Sequence, residues 1–340
     1  MNIDKKSRIS VVSRLCRRMH EIEMETPMTF HTLRAAPDTV RIGVFDAEIP
    51  PVFHIESGDT VEVQCVSGRD EVMPEPGSPL RSPAELLAIL KANPGVRAGH
   101  IVTGPIAVAG AMPGDTLEIR IDKIDPGANW GYNVIRPLVG TLPEDFHDTT
   151  IMHIPVDMDR RICALPWGTE LPLAPFFGVM GVAPPPSFGR IASKEPRIHG
   201  GNMDNKELTA GSTLYLPVWV PGANFSVGDG HGVQGDGEVC VTALEMCLTG
   251  TFTFTLHKNT GLARPRAETP THFISMGMNE DLDQAMKQAL REMIAFICSK
   301  SNLSREQAYA FCSLAVDFHV TQTVNGEKGV HGLLKKGLLF

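Results

Sequence analysis

The stretch "PGDTLEIRID" (Pro113–Asp122) decides the fold class of this chain. A Gly-Asp turn opens it, and apolar and polar residues then alternate with the period of two that is typical of a half-buried β-strand. The same arrangement occurs in "SGDTVEVQCV" (Ser57–Val66) and, more loosely, in "AGSTLYLPVWV" (Ala210–Val220). These three strand entries predict a body built mainly from β-strands.

The composition of the chain agrees with that prediction. Glycine (32 residues) and proline (26 residues) are abundant while aromatic residues make up only 6%, a balance that suits many turns and short strands better than a helical bundle. Hydrophobic residues make up 42% of the 340 residues, which is enough for a large core. The length allows either one large β-rich domain or two ordinary ones.

Two helices are predicted after residue 275. The segment "NEDLDQAMKQALREMIAFICSK" (Asn279–Lys300) places apolar residues on one face at helical spacing. These residues are Leu282, Met286, Leu290, Met293 and Ile297. The segment "LSREQAYAFCSLAVDF" (Leu303–Phe318) opens with a capping box formed by Ser304 and Gln307. Together they predict a C-terminal helical hairpin.

Two further segments carry local signals. "SPAELLAIL" (Ser82–Leu90) predicts a helix that begins with a capping box of Ser82 and Glu85 and ends before Pro94. "LPWGTELPLAPFFGVMGVAPPP" (Leu165–Pro186) is rich in proline and glycine, so a long irregular loop is expected there. Such a loop inside a compact domain is typical of a lid or a pocket wall.

The predicted fold is therefore α+β and β-dominated. A large β-rich body with sandwich-like or barrel-like sheets is expected over about residues 29–275, the helical hairpin over about 280–318, and a C-terminal tail after it. These parts make up one catalytic domain over 29–340. Residues 1–28 form a basic N-terminal extension that lacks the apolar region of a secretory signal.

Charge and cysteine content exclude several classes of partner and location. The net charge is −8 and no dense Lys/Arg stripe lies beyond residue 20, which argues against nucleic acid and membrane partners. No apolar run approaches the roughly 18 residues needed to span a bilayer. The seven cysteines are scattered and form no C-x-x-C pair, so they are expected to be free thiols in a reducing cytoplasm.

Three segments concentrate residues that can carry chemistry. They are "SVGDGHGVQGDGEVC" (Ser226–Cys240), "HGGNMDNKE" (His199–Glu207) and "GHIVTGPIAV" (Gly99–Val108). The first brings Asp229, His231, Asp236 and Glu238 together between glycines. Each residue alone fits an ordinary turn, but carboxylates and imidazoles on glycine-rich loops suit a divalent cation. The three segments together predict one metal site.

Other hydrolytic chemistries leave no signature in this chain. It has no G-x-S-x-G elbow and no H-E-x-x-H helix. Cys240 lies in the strand-like "VCVTALE" and is expected to be buried. Metal-assisted hydrolysis remains as the enzyme class, with two alternatives: an amidohydrolase acting on another linear amide or urea-like C–N bond, and a non-catalytic β-rich module that binds a structural calcium ion.

Four blocks of the sequence resemble the acetamidase/formamidase family. They are "TVRIGVFDAEIPPVFHIESGDTVEVQCVSG", "GHIVTGPIAVAGAMPGDTLEI", "GGNMDNKELTAGSTLYLPVWVPGANFSVGDGHGVQGDGEVCVTALE" and "SLAVDFHVTQTVNGEKGVHGLL". The resemblance runs from about Phe30 to the C-terminus with the blocks in order. It implies hydrolysis of formamide, acetamide or a related short amide to ammonia and a carboxylate. It also implies a divalent metal and a homo-oligomer, a dimer or larger.

The resemblance also implies which residues form the site. The motif positions it carries onto this chain are His100, Asn202, Asp204, Asp229, His231, Gln234 and Glu238. We expect His100, Asp204, Asp229 and His231 to hold the metal, with zinc favoured and calcium as the alternative. Glu238 is the expected general base, and Asp204 and Gln234 are the other expected catalytic residues. Asn202 is expected to bind the substrate, whose acyl size Phe176 and Trp219 would limit.

Overall fold

The computed structural model describes residues 29–95 and 99–339. The predicted N-terminal extension, residues 1–28, lies outside them. Three helices are described: α1 (Ala84–Ala92), α2 (Leu282–Lys300) and α3 (Arg305–Ala315). Short 3₁₀ turns occupy Asp70–Val72 and Pro186–Phe188. None of the described helices is long and apolar enough to cross a membrane.

Strands dominate the described residues. In chain order they are β1 (Phe30–Leu33), β2 (Val40–Ile42), β3 (Val44–Phe45), β4 (Phe53–Ile55), β5 (Thr60–Cys65), β6 (Ile101–Val108), β7 (Thr116–Pro126), β8 (Trp130–Ile135), β9 (Thr150–Asp157), β10 (Ile162–Ala164), β11 (Glu170–Pro172), β12 (Phe176–Gly181), β13 (Ile191–Ala192), β14 (Gly200–Asn202), β15 (Thr213–Pro217), β16 (Phe225–His231), β17 (Leu248–His257), β18 (Arg266–Glu268), β19 (His272–Asn279), β20 (Val316–Gln322) and β21 (Lys328–Lys335). The predicted α+β, β-dominated class is confirmed.

The largest sheet contains nine strands in the order β1-β5-β17-β7-β15-β18-β19-β21-β20. The three predicted strand entries begin β5, β7 and β15, and all three strands lie in this sheet. Burial alternates along β5 residue by residue, as the period of two requires when one face is covered. The repeated pattern therefore predicted three strands correctly, and the structure shows that they share one sheet.

The first two strand entries use the same turn. Asp59 accepts hydrogen bonds from the backbone N–H groups of Glu56 and Thr29, both at 2.9 Å. Asp115 accepts a hydrogen bond from the backbone N–H of Met112 at 2.8 Å. Met112 lies three residues before Asp115, as Glu56 lies three residues before Asp59. Both carboxylates are buried. Each fixes its turn by satisfying backbone donors that the chain reversal would otherwise leave without partners.

A second sheet of six strands has the order β14-β12-β16-β6-β2, with β4 paired to β6. It packs against the nine-stranded sheet through aromatic side chains. The ring centroids of Phe177 and Phe252 are 5.5 Å apart, and those of Phe225 and Phe254 are 5.3 Å apart. The main hydrophobic core lies between the two sheets, which is the sandwich arrangement that was predicted.

Strands β12 and β16 are buried along their whole length. One face of their sheet meets the sandwich core, and loops cover the other. Part of the segment Leu165–Pro186, which was expected to be an irregular loop, is thus the buried strand β12. That expectation was wrong because its prolines flank "FFGVMG" and leave every backbone N–H of β12 free to pair.

The C-terminal helices match the prediction more closely than α1 does. Ser304 and Gln307 form the expected capping box at the start of α3. At α1 the N-cap is Pro83 and no side chain caps the helix, so the predicted capping box of Ser82 was wrong. A residue that precedes proline favours an extended backbone, which places Ser82 outside the helix.

The residues after α3 do not form a separate tail. They form β20 and β21, which complete one edge of the nine-stranded sheet. α2 packs on this edge with Met293 and Ile297 buried beneath it. The loop between β20 and β21 extends toward the six-stranded sheet, and this position brings Asn325 into the site described next.

Candidate active site

Two predicted ligands lie on a central strand of the six-stranded sheet. β16 carries Asp229 and His231, two residues apart and therefore on the same face. β14 ends at Asn202, and Asp204 follows it. Because β12 lies between β14 and β16, the sheet brings together side chains that are far apart in the sequence.

Gly178, on β12, leaves the space in which these side chains meet. A Cβ atom at this position would lie 2.3 Å from Asp204 Oδ1, 2.6 Å from Asp229 Oδ2 and 2.9 Å from His231 Cε1. These separations are shorter than any that real Cβ atoms make, and all three side chains are buried. Only glycine fits at this point of β12.

Three carboxylate residues of the site have backbone angles that side chains rarely adopt. The φ angles are 49° for Asp204, 56° for Asp229 and 42° for Glu238. Each such conformation costs on the order of 1–3 kcal/mol and persists only where the surrounding structure enforces it. Residues in this left-handed region cluster at functional sites, and here three of them surround one histidine.

His231 is at the centre of the cluster. Its Nε2 atom lies 3.3 Å from Asp229 Oδ2 and 3.2 Å from Glu245 Oε1, and its Nδ1 atom lies 3.8 Å from Asp204 Oδ1. Burial lowers the pKa of His231, but the carboxylates of Glu245 and Asp229 outweigh burial and raise the pKa well above its ordinary value. The carboxylates of Asp229 and Glu245 therefore favour a positive charge, a proton or a cation, at His231 Nε2.

Gln234 determines which nitrogen of His231 is available. Its Nε2 atom donates to the backbone carbonyl of Asp204 at 2.9 Å, which fixes the orientation of the amide. Its Oε1 atom therefore faces His231 Nδ1, also at 2.9 Å, so Nδ1 carries a hydrogen and donates it. This bond leaves His231 Nε2 as the nitrogen that can ligate a cation.

The buried carboxylates Asp204, Asp229 and Glu238 divide into two groups by the direction in which their pKa values are shifted. Burial raises the pKa of Asp204, and burial together with the neighbouring Asp204 raises the pKa of Glu238 well above its ordinary value. Burial also raises the pKa of Asp229, but the imidazoles of His100 and His231 outweigh burial and hold that pKa below its ordinary value. The ionised form is therefore favoured at Asp229, whereas burial favours the protonated form at Asp204 and Glu238.

Sequence reasoning missed two residues of the site. Glu245 faces His231, but it ends the apolar run "VCVTALE" and was read as part of a strand. The Nδ2 atom of Asn325 donates to Asp204 Oδ2 and, at 3.2 Å, to the carbonyl of Asn202. Asn325 precedes glycine in "TVNGEK" and resembles an ordinary turn residue. A lone acid in an apolar run was the only available signal for Glu245.

A cavity of about 490 Å³ opens onto this cluster. Site residues that line it include His100, Asn202, Asp229, Glu238, Glu245 and Asn325. His100 contacts Ser193 through Nδ1 at 2.9 Å and turns Nε2 toward Asp229 Oδ2, 3.8 Å away. The cavity gives a small molecule direct access to the buried carboxylates.

Three residues that were expected to bind substrate or act in catalysis do not line this cavity. Phe176 is fully buried with its ring against that of His231, 5.1 Å between centroids, and Trp219 donates to the carbonyl of Ile198. Neither lines the cavity, so this placement gives no support to their expected role as its walls. Gln234 also lies outside the cavity lining, and it orients His231 instead of facing a substrate.

The expectation for Cys240 was wrong. The segment "VCVTALE" forms an irregular loop between β16 and β17, and Cys240 is only half-buried. Its side chain contacts Asn133, Thr242 and the backbone around them. Ala243 and Leu244 of this segment are buried, Val239 is 61% exposed, and Glu245 forms isolated bridges to Tyr132 and His231.

The residues fit a bound cation. Two sets of residues could each hold a metal ion, because within each set the ligand atoms lie within 4.8 Å of one another. The first set is Asp204, His231 and Glu238, and the second is Asp229, His231 and Glu245. Within the described chain, Asp204 Oδ1, His231 Nε2 and Glu238 Oε2 are buried polar atoms without a hydrogen-bond partner. Buried polar groups are normally satisfied, so these atoms indicate that a ligand completes the site.

A third set, Asp236, His319 and His331, lies outside this cluster. Lys206 Nζ and His319 Nδ1 already contact the same Asp236 oxygen, at 3.0 and 3.1 Å. His331 Nδ1 and Thr321 Oγ1 form a hydrogen bond of 2.7 Å. This set ties the loop that carries Glu238 to the edge strand β20.

Known proteins share both the sequence and the fold of this chain. The profile of the Acetamidase/Formamidase family matches residues 38–194 and 190–330. A formamidase from Methylophilus methylotrophus is 33% identical over 201 residues, which cover 43% of this chain and 49% of that protein. The chain spans between 49% and 63% of the length of the curated relatives it matches.

Solved structures agree over nearly the full length. An acetamidase from Bacillus halodurans superposes with a TM-score of 0.78 at 31% identity, covering 89% of this chain and 97% of that one. An acetamidase from Yersinia enterocolitica superposes with a TM-score of 0.81 at 27% identity, covering 94% and 96%. With the family profile matched over most of its length, this chain belongs to the acetamidase/formamidase family.

Proposed function

We propose that this protein hydrolyses the C–N bond of a short aliphatic carboxamide, such as formamide or acetamide, to ammonia and the carboxylate, using a bound divalent cation. One observation carries the proposal. Asp229 and His231 of β16 and Asp204, which follows β14, converge on Gly178, and Asp204 Oδ1 and His231 Nε2 are buried atoms without a hydrogen-bond partner among the described residues. A cavity leads to them. The names of the related formamidase and acetamidases support the same reaction.

Asp229, Glu245 and Nε2 of His231 would hold the cation. One imidazole and two carboxylates suit zinc, whereas calcium prefers six to eight oxygen ligands, so we favour zinc. When bound, such an ion polarises a carbonyl group and lowers the pKa of water toward ~7. Gln234 keeps His231 in the tautomer that this role needs.

Asp204 and Glu238 move the proton that the reaction requires. The departing nitrogen must be protonated because an amide anion is a very poor leaving group. The pKa of Glu238 is raised by burial and by Asp204, and Glu238 lines the cavity. It accepts a proton as water attacks and donates it to nitrogen, a contribution of roughly 10²–10⁴-fold. Asn325 holds Asp204 in place for this exchange.

Asn202 orients the substrate. Its Oδ1 atom is buried and has no hydrogen-bond partner among the described residues, and the side chain lines the cavity. A carboxamide NH₂ group donates two hydrogen bonds, so Asn202 Oδ1 would accept one of them. This contact favours amides over esters of the same size, because an ester would leave the oxygen unsatisfied.

Removal and return of the metal tests the proposal. We expect ammonia release from acetamide to stop after treatment with a chelator and to return when zinc is added. Metal content should fall together with activity in Asp229→Asn, while Asp38→Asn, a control at an exposed aspartate outside the site, should keep both. Full turnover by metal-free protein, or no turnover of any short amide by metal-loaded protein, would refute the function.

We also propose a cytoplasmic homo-oligomer. Free, buried thiols at Cys65, Cys247 and Cys312 support a reducing compartment. The loop of residues 138–146 exposes four apolar side chains, Leu138 (79%), Val139 (43%), Leu142 (54%) and Phe146 (49%), and exposed apolar side chains grouped in this way commonly mark a contact with another subunit. Light scattering of the purified protein tests this, and a monomer at micromolar concentration would contradict it.

A further inference from the structure

The cavity is larger than a short amide requires. Its volume is about 490 Å³, within the roughly 300–1,000 Å³ range of pockets that hold drug-sized ligands. Formamide and acetamide contain only a few non-hydrogen atoms and would leave most of this space to water. Both the size and the lining of the remaining space therefore bear on which amide the site prefers.

Charge is separated along the depth of the cavity. Its acidic residues lie at the closed end, where the side chains of Asp229 and Glu245 are only 8% and 7% exposed. Its basic residues lie toward solvent: the Arg136 side chain is 31% exposed, and Lys194 is exposed. A bound cation would neutralise the carboxylates at the closed end. The net charge of the cavity would then be positive and would come from the basic residues near solvent.

Three cations line the opening although the chain as a whole has a net charge of −8. They are Arg69, Arg136 and Lys194. Arg136 pairs with Glu71, which is 54% exposed and does not line the cavity. Lys194 makes no ion pair with any residue that the structure describes. Among the described residues no carboxylate balances the charge of Lys194, and an anionic ligand would supply one.

Apolar side chains also line the cavity, at every degree of burial. Val72 and the ring of Tyr132 are buried, Val241 is half-buried, and Val139 is 43% exposed. A ligand that spans the cavity would meet carboxylates at the buried end, hydrocarbon along the wall, and guanidinium and ammonium groups nearer solvent. This sequence of contacts describes a molecule with an amide at one end, a short carbon chain, and an anion at the other end.

We propose that the preferred substrate is the monoamide of a short dicarboxylic acid, with its carboxylate bound by Arg136 and Lys194. This inference rests on the proposed amide hydrolysis and specifies its substrate class. Water adds its oxygen to the amide carbon, the C–N bond breaks, and both hydrogens of water leave with the NH₂ group as an ammonium ion. The products are a dicarboxylate and ammonium, which is in equilibrium with ammonia, and no oxidant or reductant is needed.

A matched pair of substrates tests the inference. Succinamate and butyramide share the amide and the carbon spacer, and differ in whether a carboxylate or a methyl group ends the chain. We expect kcat/KM for ammonia release by the zinc-loaded enzyme to be at least about tenfold higher for succinamate, since charge-assisted hydrogen bonds reward the anion. High salt should reduce this preference because the cations are partly exposed.

Variants assign the preference to the opening. In Arg136→Gln combined with Lys194→Gln, the succinamate-to-butyramide ratio of kcat/KM should fall by about tenfold. Arg160→Gln is the matched control, because Arg160 is also a surface arginine paired with one glutamate, Glu170, but lies outside the cavity. If the double variant does not fold, Lys194→Gln alone replaces it in this test, because Lys194 is an exposed side chain.

The outcomes separate the two proposals. Turnover of butyramide with no preference for succinamate would overturn the substrate class and leave amide hydrolysis standing. A preference that survives unchanged in the double variant, or in Lys194→Gln if only that protein folds, would overturn the assignment to these cations. Absence of ammonia from either substrate, and from acetamide, would overturn the hydrolytic function itself.

Discussion

Two pairs of buried aspartates serve opposite purposes in this molecule. Asp59 and Asp115 in the Gly-Asp turns are 5% and 1% exposed, and Asp204 and Asp229 at the site are 1% and 7% exposed. The turn carboxylates accept hydrogen bonds from several backbone N–H groups. The site carboxylates face other acids and a histidine.

The difference shows how burial of a charge is compensated. At the turns the protein itself supplies the donors. At the site it does so only in part: Asn325 donates to Asp204 Oδ2, but Asp204 Oδ1 has no donor among the described residues, and both aspartates have positive φ angles that side chains rarely adopt. Carboxylates buried in this way cost stability unless something else binds them. The turn pair stabilises the fold, and the site pair depends on a ligand from outside.

The largest effect is expected at Asp204. Asp204→Asn should lower amide turnover by about 10²–10⁴-fold, because the variant cannot exchange a proton with Glu238. Stability should stay the same or rise, since asparagine tolerates a positive φ and removes an acid from the buried cluster. Ammonia release and the urea midpoint measure the two effects. A loss of stability with activity retained would contradict the comparison between the aspartate pairs.

Gly178→Ala should be the next most damaging change. Its Cβ would displace the carboxylates of Asp204 and Asp229, so we expect bound metal to be lost and turnover to fall by about 10²-fold. Gly235→Ala is the control, because a Cβ there meets no atom within 4 Å. Metal analysis of the two purified variants measures the effect, and equal metal content in both would contradict it.

At the turns the expected effect is on stability alone. Asp115→Ala removes the acceptor for the N–H groups of Met112 and Asn259 and the partner of Lys258. Leaving buried donors unsatisfied costs about 1–3 kcal/mol, and kcat/KM should not change. Urea unfolding measures the loss, with Asp38→Ala on the surface as the control. A large fall in kcat/KM at unchanged stability would show that the turn also serves the site.

The smallest effect is on the pH dependence of stability. Burial raises the pKa of Asp115, but Lys258 and the backbone donors outweigh burial and lower the pKa in the folded state. Its contribution is therefore complete above the unfolded pKa of about 3.9 and disappears as pH falls through the lower folded value. Asp115→Asn should flatten this part of the stability profile below about pH 5. An unchanged acid profile would contradict the assignment.

The sequence predicts local elements of this molecule better than long-range contacts. The Gly-Asp turns of β5 and β7 and the capping box at Ser304 are properties of a few adjacent residues, and the structure confirms them. The failure at Ser82 has a local cause too, since the following proline moves the start of the helix. "FFGVMG" was misread because only its pairing with β14 and β16 identifies it as a strand.

The site divides in the same way. Glycine-spaced acids and imidazoles marked Asp204, Asp229, His231 and Glu238, and the structure brings all four together. Gly178, Glu245 and Asn325 act through contacts with residues far away in the chain, so no short motif identifies them. Phe176 and Trp219 were expected from residue type alone, and the direction in which a side chain points depends on the whole fold.

The position of Asn325 has a consequence for biosynthesis. Its side chain holds Asp204 from a loop 121 residues further along the chain. A nascent polypeptide in which β12, β14 and β16 are already paired still lacks this contact. On the proposed function, competence for turnover would therefore arise only after the ribosome has released the β20–β21 hairpin.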